Sequence, residues 1–191
     1  GTPPQGCADY AFQQHIQKSL DTENGRSISL WPHGILFRDA EASMRLKMIE
    51  QDQVECVIGL GPNLFYNSPM EACLLVTNTN KTAERKGKVI FINAVHEVKQ
   101  EKTMGYLEQK HIDKIFNAYQ DFEDKEGFAT VVKLDDILER NGNMAINLYI
   151  RTQKFNMQDS LSFESAYEQW RSSSNDLALS MDELFKVLEQ K

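Results

Sequence analysis

Between two apolar runs, Val54 to Leu60 and Ala72 to Val76, the chain carries a loop, Gly61-Pro62-Asn63-Leu64-Phe65-Tyr66-Asn67-Ser68-Pro69-Met70-Glu71, with adjacent aromatic residues near its centre. Loops run over protein surfaces, so a Phe-Tyr pair there either folds back to cap the core or faces a flat ligand such as a nucleobase. Gly59-Leu60-Gly61 begins like a dinucleotide fingerprint. Leu64 stands where the third glycine belongs, however, and Pro62-Asn63 follow a strand without opening a helix, so the fingerprint is rejected. No phosphate loop, Gly-x-Ser-x-Gly elbow or Cys-x-x-Cys pair is present, and His15, His33, His96 and His111 have no ligand spacing, so no metal site is expected. His15 and His111 fall in helical stretches as solvated or core-edge residues.

The elements that must position the aromatic loop follow from periodicity. Ala8, Ala11, Phe12, His15, Ile16 and Leu20 recur at helical spacing before the stop Asn24-Gly25. Ser27 to Trp31 alternates as a strand, Pro32-His33-Gly34 is a turn, and Met44, Met48 and Ile49 mark a second helix over Glu41 to Gln51. Val54 to Leu60 and Ala72 to Val76 are continuous apolar runs of strand length, as central strands covered on both faces require. Asn78 to Lys88 reads as a solvated basic connector to the strand Val89 to Ile92. A helix over Leu107 to Phe122 with the stripe Ile112, Ile115, Phe116, Tyr119, a strand over Thr130 to Leu134, a short helix over Asp135 to Arg140 and an extended segment over Ile146 to Ile150 complete this part. Two amphipathic helices then close the chain, one bearing Phe163, Ala166, Tyr167 and Trp170, the other opened by a Ser180/Glu183 capping box after the Ser172-Ser173-Ser174 run. Alternating helix and strand predicts an α/β sheet with parallel pairing, although the strand and Gly-rich turn that normally open a doubly wound sheet are not in sight.

The 191 residues, 41% hydrophobic and 26% charged, suit one sizeable core plus an appendage. A net charge of −7 argues against holding nucleic acid by the chain's own field, because that binding depends on Lys and Arg replacing phosphate counterions. Cys7, Cys56 and Cys73 are odd in number and two lie in apolar runs, which fits a reducing cytosolic compartment. No run approaches the length that spans a bilayer and the first residues lack signal-peptide character, so no membrane association is expected.

Thr2-Pro3-Pro4-Gln5 superficially resembles the Asn-Pro-Pro-Tyr or Asn-Pro-Pro-Phe motif of amino methyltransferases, but Thr2 lacks the side-chain carbonyl and Gln5 the ring, so a Pro-rich turn is the better reading. A collinear set is more specific: Pro3-Pro4-Gln5-Gly6 through Ala8-Asp9-Tyr10-Ala11-Phe12, Pro32-His33-Gly34-Ile35-Leu36-Phe37-Arg38, Val57-Ile58-Gly59-Leu60, Asn63-Leu64-Phe65-Tyr66, Arg85 through Ala94, and Asn147-Leu148-Tyr149-Ile150. In order and spacing these resemble the modification subunit of type I restriction-modification systems, an N6-adenine DNA methyltransferase. The resemblance runs from residue 3 to about residue 150. His33 departs from the usual Asn of Pro-Asn-Gly, and Asn67-Ser68-Pro69 replaces a Gly-Thr-Gly-like turn, which leaves the loop geometry open.

The resemblance implies the C-terminal half of a Rossmann-like methyltransferase sheet, mixed and mostly parallel, over residues 1–150, with a helical tail over 151–191. It implies that the family's S-adenosyl-L-methionine loop and Asn-Pro-Pro-Phe motif lie upstream of this sequence, so that no catalytic or cofactor-binding residue is expected here and the fragment alone is inactive. In related enzymes an aromatic of the loop between the sixth and seventh strands stacks on the flipped-out adenine. Phe65 or Tyr66 takes that place, with Pro32 and Asn63 as loop support; the alternative is that one ring faces the pocket while the other anchors the loop to the core. The family's partners are a specificity subunit, which chooses the DNA target, a second modification subunit, a restriction subunit and, through the complex, double-stranded DNA. Tyr167, Trp170, Leu184, Phe185 and Leu188 form either a face for such a subunit or simple packing on the sheet. A non-catalytic interaction module that binds specificity or modification subunits is the competing reading. Without upstream strands, Ser27 to Trp31 or Val54 to Leu60 becomes an unpaired sheet edge.

Overall fold

Residues 2–65, 68–102, 104–150 and 163–189 are described by the structure, a computed structural model, except for the side chains of 163, 164, 166, 169, 179 and 182–189. The chain divides into two compact units, Gly1–Thr152 and Gln153–Lys191. In the first, α1 (Asp9–Ser19), β1 (Arg26–Pro32), a 3-10 turn (His33–Leu36), a second one (Asp39–Glu41) and α2 (Ala42–Glu50) lead to β2 (Val54–Leu60), β3 (Ala72–Asn78) and β4 (Lys88–Ala94). A hairpin of β5 (Lys99–Glu101) and β6 (Met104–Tyr106), then α3 (Gln109–Asp121), β7 (Ala129–Lys133) and α4 (Leu134–Glu139), follow.

The sheet order is β1-β3-β2-β4-β7. The α/β class agrees with expectation, but the pairing is mostly antiparallel: only β2 and β4 are parallel neighbours. The cause is local. The loop 61–71 contains no crossover helix, so β3 returns antiparallel against β2. It inserts between β1 and β2, which run in one direction, as a strand-helix-strand unit through α2 requires, without touching.

Both faces of β2 are covered, as its unbroken apolar sequence predicts. Val57, Phe91, Leu75 and Val89 meet Tyr10, Met48, Ile49 and Ile137 on one side. Cys56, Ile58, Ile90 and Ile92 meet Ala118 and Phe128 on the other. The three cysteines are free thiols. Burial pushes the Cys73 thiol up to about 12 and that of Cys56 well above its ordinary value, so both act as small hydrophobes.

Several expectations are corrected by burial of polar groups. On α1 the inward face carries Tyr10 and Gln13, while Phe12 is 62% exposed. The Tyr10 hydroxyl donates to the Ile35 carbonyl at 3.1 Å, and Gln13 Oε1 accepts from Ser29 Oγ and Trp31 Nε1, both at 3.0 Å. Periodicity counts apolar residues and cannot see that these polar ones find partners. The basic connector is not a solvated loop: Lys81 is buried, with Nζ 2.6 Å from Asp52 and 2.9 Å from the Lys88 carbonyl. Arg85 reaches buried Glu55 at 2.9 Å and also donates to the Tyr119 and Gln120 carbonyls at the end of α3. Burial alone would raise the Glu55 carboxyl, yet bonds from Arg85 and Asn78 and the charge of Arg26 hold it below its ordinary value. Ile146–Leu148 is a 3-10 turn, not an extended segment.

In the second unit one continuous 27-residue helix, α5 (Phe163–Glu189), replaces the two expected helices. Serine lowers helix propensity only modestly, so three in a row do not break a helix. Ser180 caps nothing; its hydroxyl donates to the Asp176 carbonyl at 2.9 Å.

Of the two candidate edges, β2 is central and paired on both sides, whereas β1 is an edge among the described residues. Ile28 and Leu30 of β1 are 71% and 46% exposed. An apolar concavity of about 610 Å³ between Ile28, Leu60, Val76, Ile112, Phe116 and Tyr119 lies beside it, so the expected stripe of α3 is only half covered. An unpaired strand flanked by apolar surface templates pairing with a second copy. Light scattering over a concentration series is expected to show self-association of the isolated chain. A strict monomer at high micromolar concentration, with slow amide exchange throughout 27–31, would refute it.

Candidate functional site

β1 ends at Pro32 opposite Ala72, and β2 ends at Leu60 opposite Ala72 and Ala94. The segments that follow β1, β2 and β4 therefore leave the sheet at one edge, and loop 61–71 spans from β2 to β3 there. The crevice outside the carboxyl ends of parallel strands is where open α/β sheets bind ligands.

Gly61 lets the loop start close-packed: a Cβ there would lie 2.5 Å from the Val95 carbonyl oxygen. Asn63 takes a left-handed conformation, φ 60°, which Asn tolerates better than most residues. Leu64 folds back onto the core around Cys56 and Ile92. Phe65 is half-buried and forms a bridge with Ser68, whose N–H donates to the Phe65 carbonyl at 3.1 Å. Leu64 thus packs on the core and Phe65 is half-buried; Tyr66 lies outside the described residues. Pro32 is exposed and pairs with Ala72 in the strand register. The stronger tie is one the sequence did not announce, between His33 Nε2 and the Ala72 carbonyl at 2.8 Å.

Beside the loop's far end is a cavity of about 270 Å³ bounded by His33, Phe37, Glu71, Asn93 and Asn147. Phe37 and Met70 are exposed at this edge. Phe65 is not part of that cavity's wall. The larger concavity between β1 and α3 is lined mainly by apolar side chains and lies on the sheet face, reaching Leu60 at the end of β2. Among the described residues no group of three or more His, Cys, Asp and Glu is placed to hold a metal.

Among the described residues, neither Gly34 nor Gly59 fits an S-adenosylmethionine cradle. Gly34 is packed against the Arg38 guanidinium, with a Cβ position 2.5 Å from Nε, and Gly59 faces Ile146 Cδ1 at 2.8 Å, so these glycines serve close packing and leave no space for a ligand backbone. Among the described residues the edge presents an aromatic ring, Phe65, and hydrogen-bonding groups.

A family model described as N-6 DNA Methylase matches residues 1–158. The chain belongs to the N-6 DNA methylase family. The chain is 36% identical over 154 residues to the type I restriction enzyme MjaVIII methylase subunit of Methanocaldococcus jannaschii, covering 78% of the chain and 26% of that protein. It is 30% identical over 168 residues to the HindI methylase subunit of Haemophilus influenzae, covering 80% and 36%. Among solved structures, the type I restriction-modification methyltransferase subunit of Streptococcus thermophilus superposes with a TM-score of 0.72 at 34% identity, over 77% of this chain and 31% of that one. The EcoKI M protein, at 14% identity and a TM-score of 0.61 over 96% of this chain and 45% of that one, shares the fold. The chain thus spans 26% to 36% of the length of these two sequence relatives.

On α5, Tyr167 and Trp170 are 49% and 63% exposed, with ring centroids 5.8 Å apart. Of the remaining residues expected on that face, the side chains of Leu184, Phe185 and Leu188 lie outside the described ones. Missed altogether was the β5–β6 hairpin. Its strands, Lys99–Glu101 and Met104–Tyr106, are too short and polar to show a two-residue apolar period.

Proposed function

We propose that this chain is part of an adenine-specific, N6-directed DNA methyltransferase, the modification subunit of a type I restriction-modification system, to which it contributes the target-base loop. The observation that carries the reading is the half-buried Phe65 on a loop at the carboxyl edge of the sheet, in a chain of the N-6 methylase family. An adenine inside a duplex hides its exocyclic amine from any enzyme, so it must be flipped out, and an aromatic face accepts the exposed base. The complete subunit uses S-adenosyl-L-methionine, acts in the cytoplasm and reaches double-stranded DNA in a complex with a specificity subunit, a second modification subunit and a restriction subunit. The charge of −7 agrees with DNA being held by the complex, because the chain alone lacks the cationic excess that phosphates require.

By itself the chain is inactive and binds no cofactor. Calorimetric titration of the 191-residue chain with S-adenosylmethionine is expected to give only heats of dilution. Saturable binding at micromolar concentration would sink this reading and require a site in these residues.

A second reading, a non-catalytic module that binds specificity or modification subunits, draws on the exposed Tyr167–Trp170 pair of α5. Exposed aromatic neighbours are the kind of anchor that subunit interfaces bury. Trp170→Ala tests the face: loss of assembly assigns α5 to an interface, and methylation by complexes containing this chain that falls with Phe65→Ala favours the first reading over the second.

A further inference from the structure

The hairpin β5–β6 leans on the base of the aromatic loop. The Gly105 N–H donates to the Asn63 carbonyl at 2.8 Å. The Gln100 side chain spans two loop residues, Oε1 accepting from Asn63 Nδ2 and Nε2 donating to the Pro62 carbonyl, both at 3.3 Å. Glycine is needed at 105 because a Cβ would lie 2.9 Å from Val98 Cγ2 and 3.1 Å from the Pro62 oxygen. The hairpin is itself tied down: the Tyr106 hydroxyl donates to Glu101 at 2.9 Å, and Lys99 Nζ lies 3.1 Å from Glu108, the residue that caps α3.

We propose that this hairpin positions the Phe65 loop, with Gln100 and Gly105 as positioning residues that act through Phe65 on the flipped adenine. The proposal rests on the reading of Phe65 as the base-contacting ring. Asn63 stands two residues before Phe65 with its left-handed backbone, and the hairpin bonds its carbonyl and its side chain while also holding the carbonyl before it. Those contacts fix the direction in which the loop leaves β2. Among the described residues the other ties of Phe65 are local: the bridge to Ser68 and the anchoring of Leu64. A ring must sit within a fraction of an ångström of its productive place, since a displacement of about 1 Å remote from the chemistry can cost a hundredfold in rate.

The test uses the complete modification subunit assembled with its specificity subunit, tritiated S-adenosylmethionine and DNA containing the target site. Gly105→Ala wedges the hairpin off Pro62, and Gln100→Met keeps the length of the side chain while removing both of its bonds. Each is expected to lower kcat about tenfold, within the range that misplacement produces, with the DNA concentration at half-saturation unchanged. Gln100→Glu, which still accepts from Asn63 Nδ2 but cannot donate to Pro62, should fall between. On a Phe65→Ala background neither substitution should cost anything further, and additive losses would overturn the proposal. Met104→Ala, on the exposed face of the same hairpin, is the control. Amide exchange in the 191-residue chain separates the two ways of failing. Unchanged exchange over 61–65 in Gln100→Met overturns the clamp itself. Accelerated exchange there, with Phe65→Ala methylating at the parent rate, keeps the clamp but refutes base contact through Phe65, and with it the proposal.

Discussion

Phe65→Ala in the complete subunit is expected to lower adenine methylation by roughly 5- to 150-fold, the equivalent of the ~1–3 kcal/mol that stacking on one base is worth. The fold should survive. Phe65 is only half-buried, and Leu64, not Phe65, joins the core. Tyr66→Ala belongs in the same experiment, because one ring of the pair is expected to matter more. Fluorescence of a base analogue at the target position reports extrusion directly: with the stacking ring gone, the analogue should return to the duplex more often and its signal should fall. If both variants methylate at the parent rate with unchanged analogue fluorescence, the stacking role is wrong.

Arg85→Ala is expected to produce the largest loss of stability. Glu55 sits inside the sheet with its side chain 1% exposed, held by Arg85 at 2.9 Å, Asn78 at 3.0 Å and more distantly by Arg26 at 3.5 Å. Removing one partner of a buried pair leaves a charge unpaired and costs about 3–5 kcal/mol; with Asn78 and Arg26 still present, the low end, about 3 kcal/mol, is expected. For a chain of this size that lowers the melting midpoint by roughly 6–12 °C. Arg85 also lies over the Tyr119 and Phe122 rings at 4.9 and 4.7 Å, so α3 should loosen first. The pH dependence has a definite sign. The folded Glu55 carboxyl lies below its ordinary value, so its contribution is fully present above the unfolded pKa and is lost as pH falls through the folded one. Thermal melts of parent and Arg85→Ala should therefore converge on acidification. A midpoint unchanged at neutral pH would show that the cluster contributes no net stability.

The sequence by itself determined what depends on neighbours along the chain. The unbroken apolar run of β2 announced a strand covered on both faces, with the boundaries Val54–Leu60 that the structure has. Met44, Met48 and Ile49 gave α2 its inner face, and the order of the short motifs from Pro3 to Ile150 was enough to point to the methylase family. The adjacent aromatics were legible because a loop between two apolar strands has few reasons to carry them.

Only the tertiary structure decided which polar residues go inside and which strands become neighbours. Glu55 and Arg85 stand 30 positions apart, and Tyr10 and Ile35 stand 25 apart. No local period records such pairs, so the connector looked solvated and α1 was turned to the wrong face. The same limit hid β3 between β1 and β2, since register between strands is set by backbone pairing and shared burial across the sheet. It hid the hairpin as well. Lys99 to Tyr106 has no apolar alternation to read, and its contacts with Pro62 and Asn63 are made at the edge where the pairing of β2 with β4 places the loop and the hairpin together.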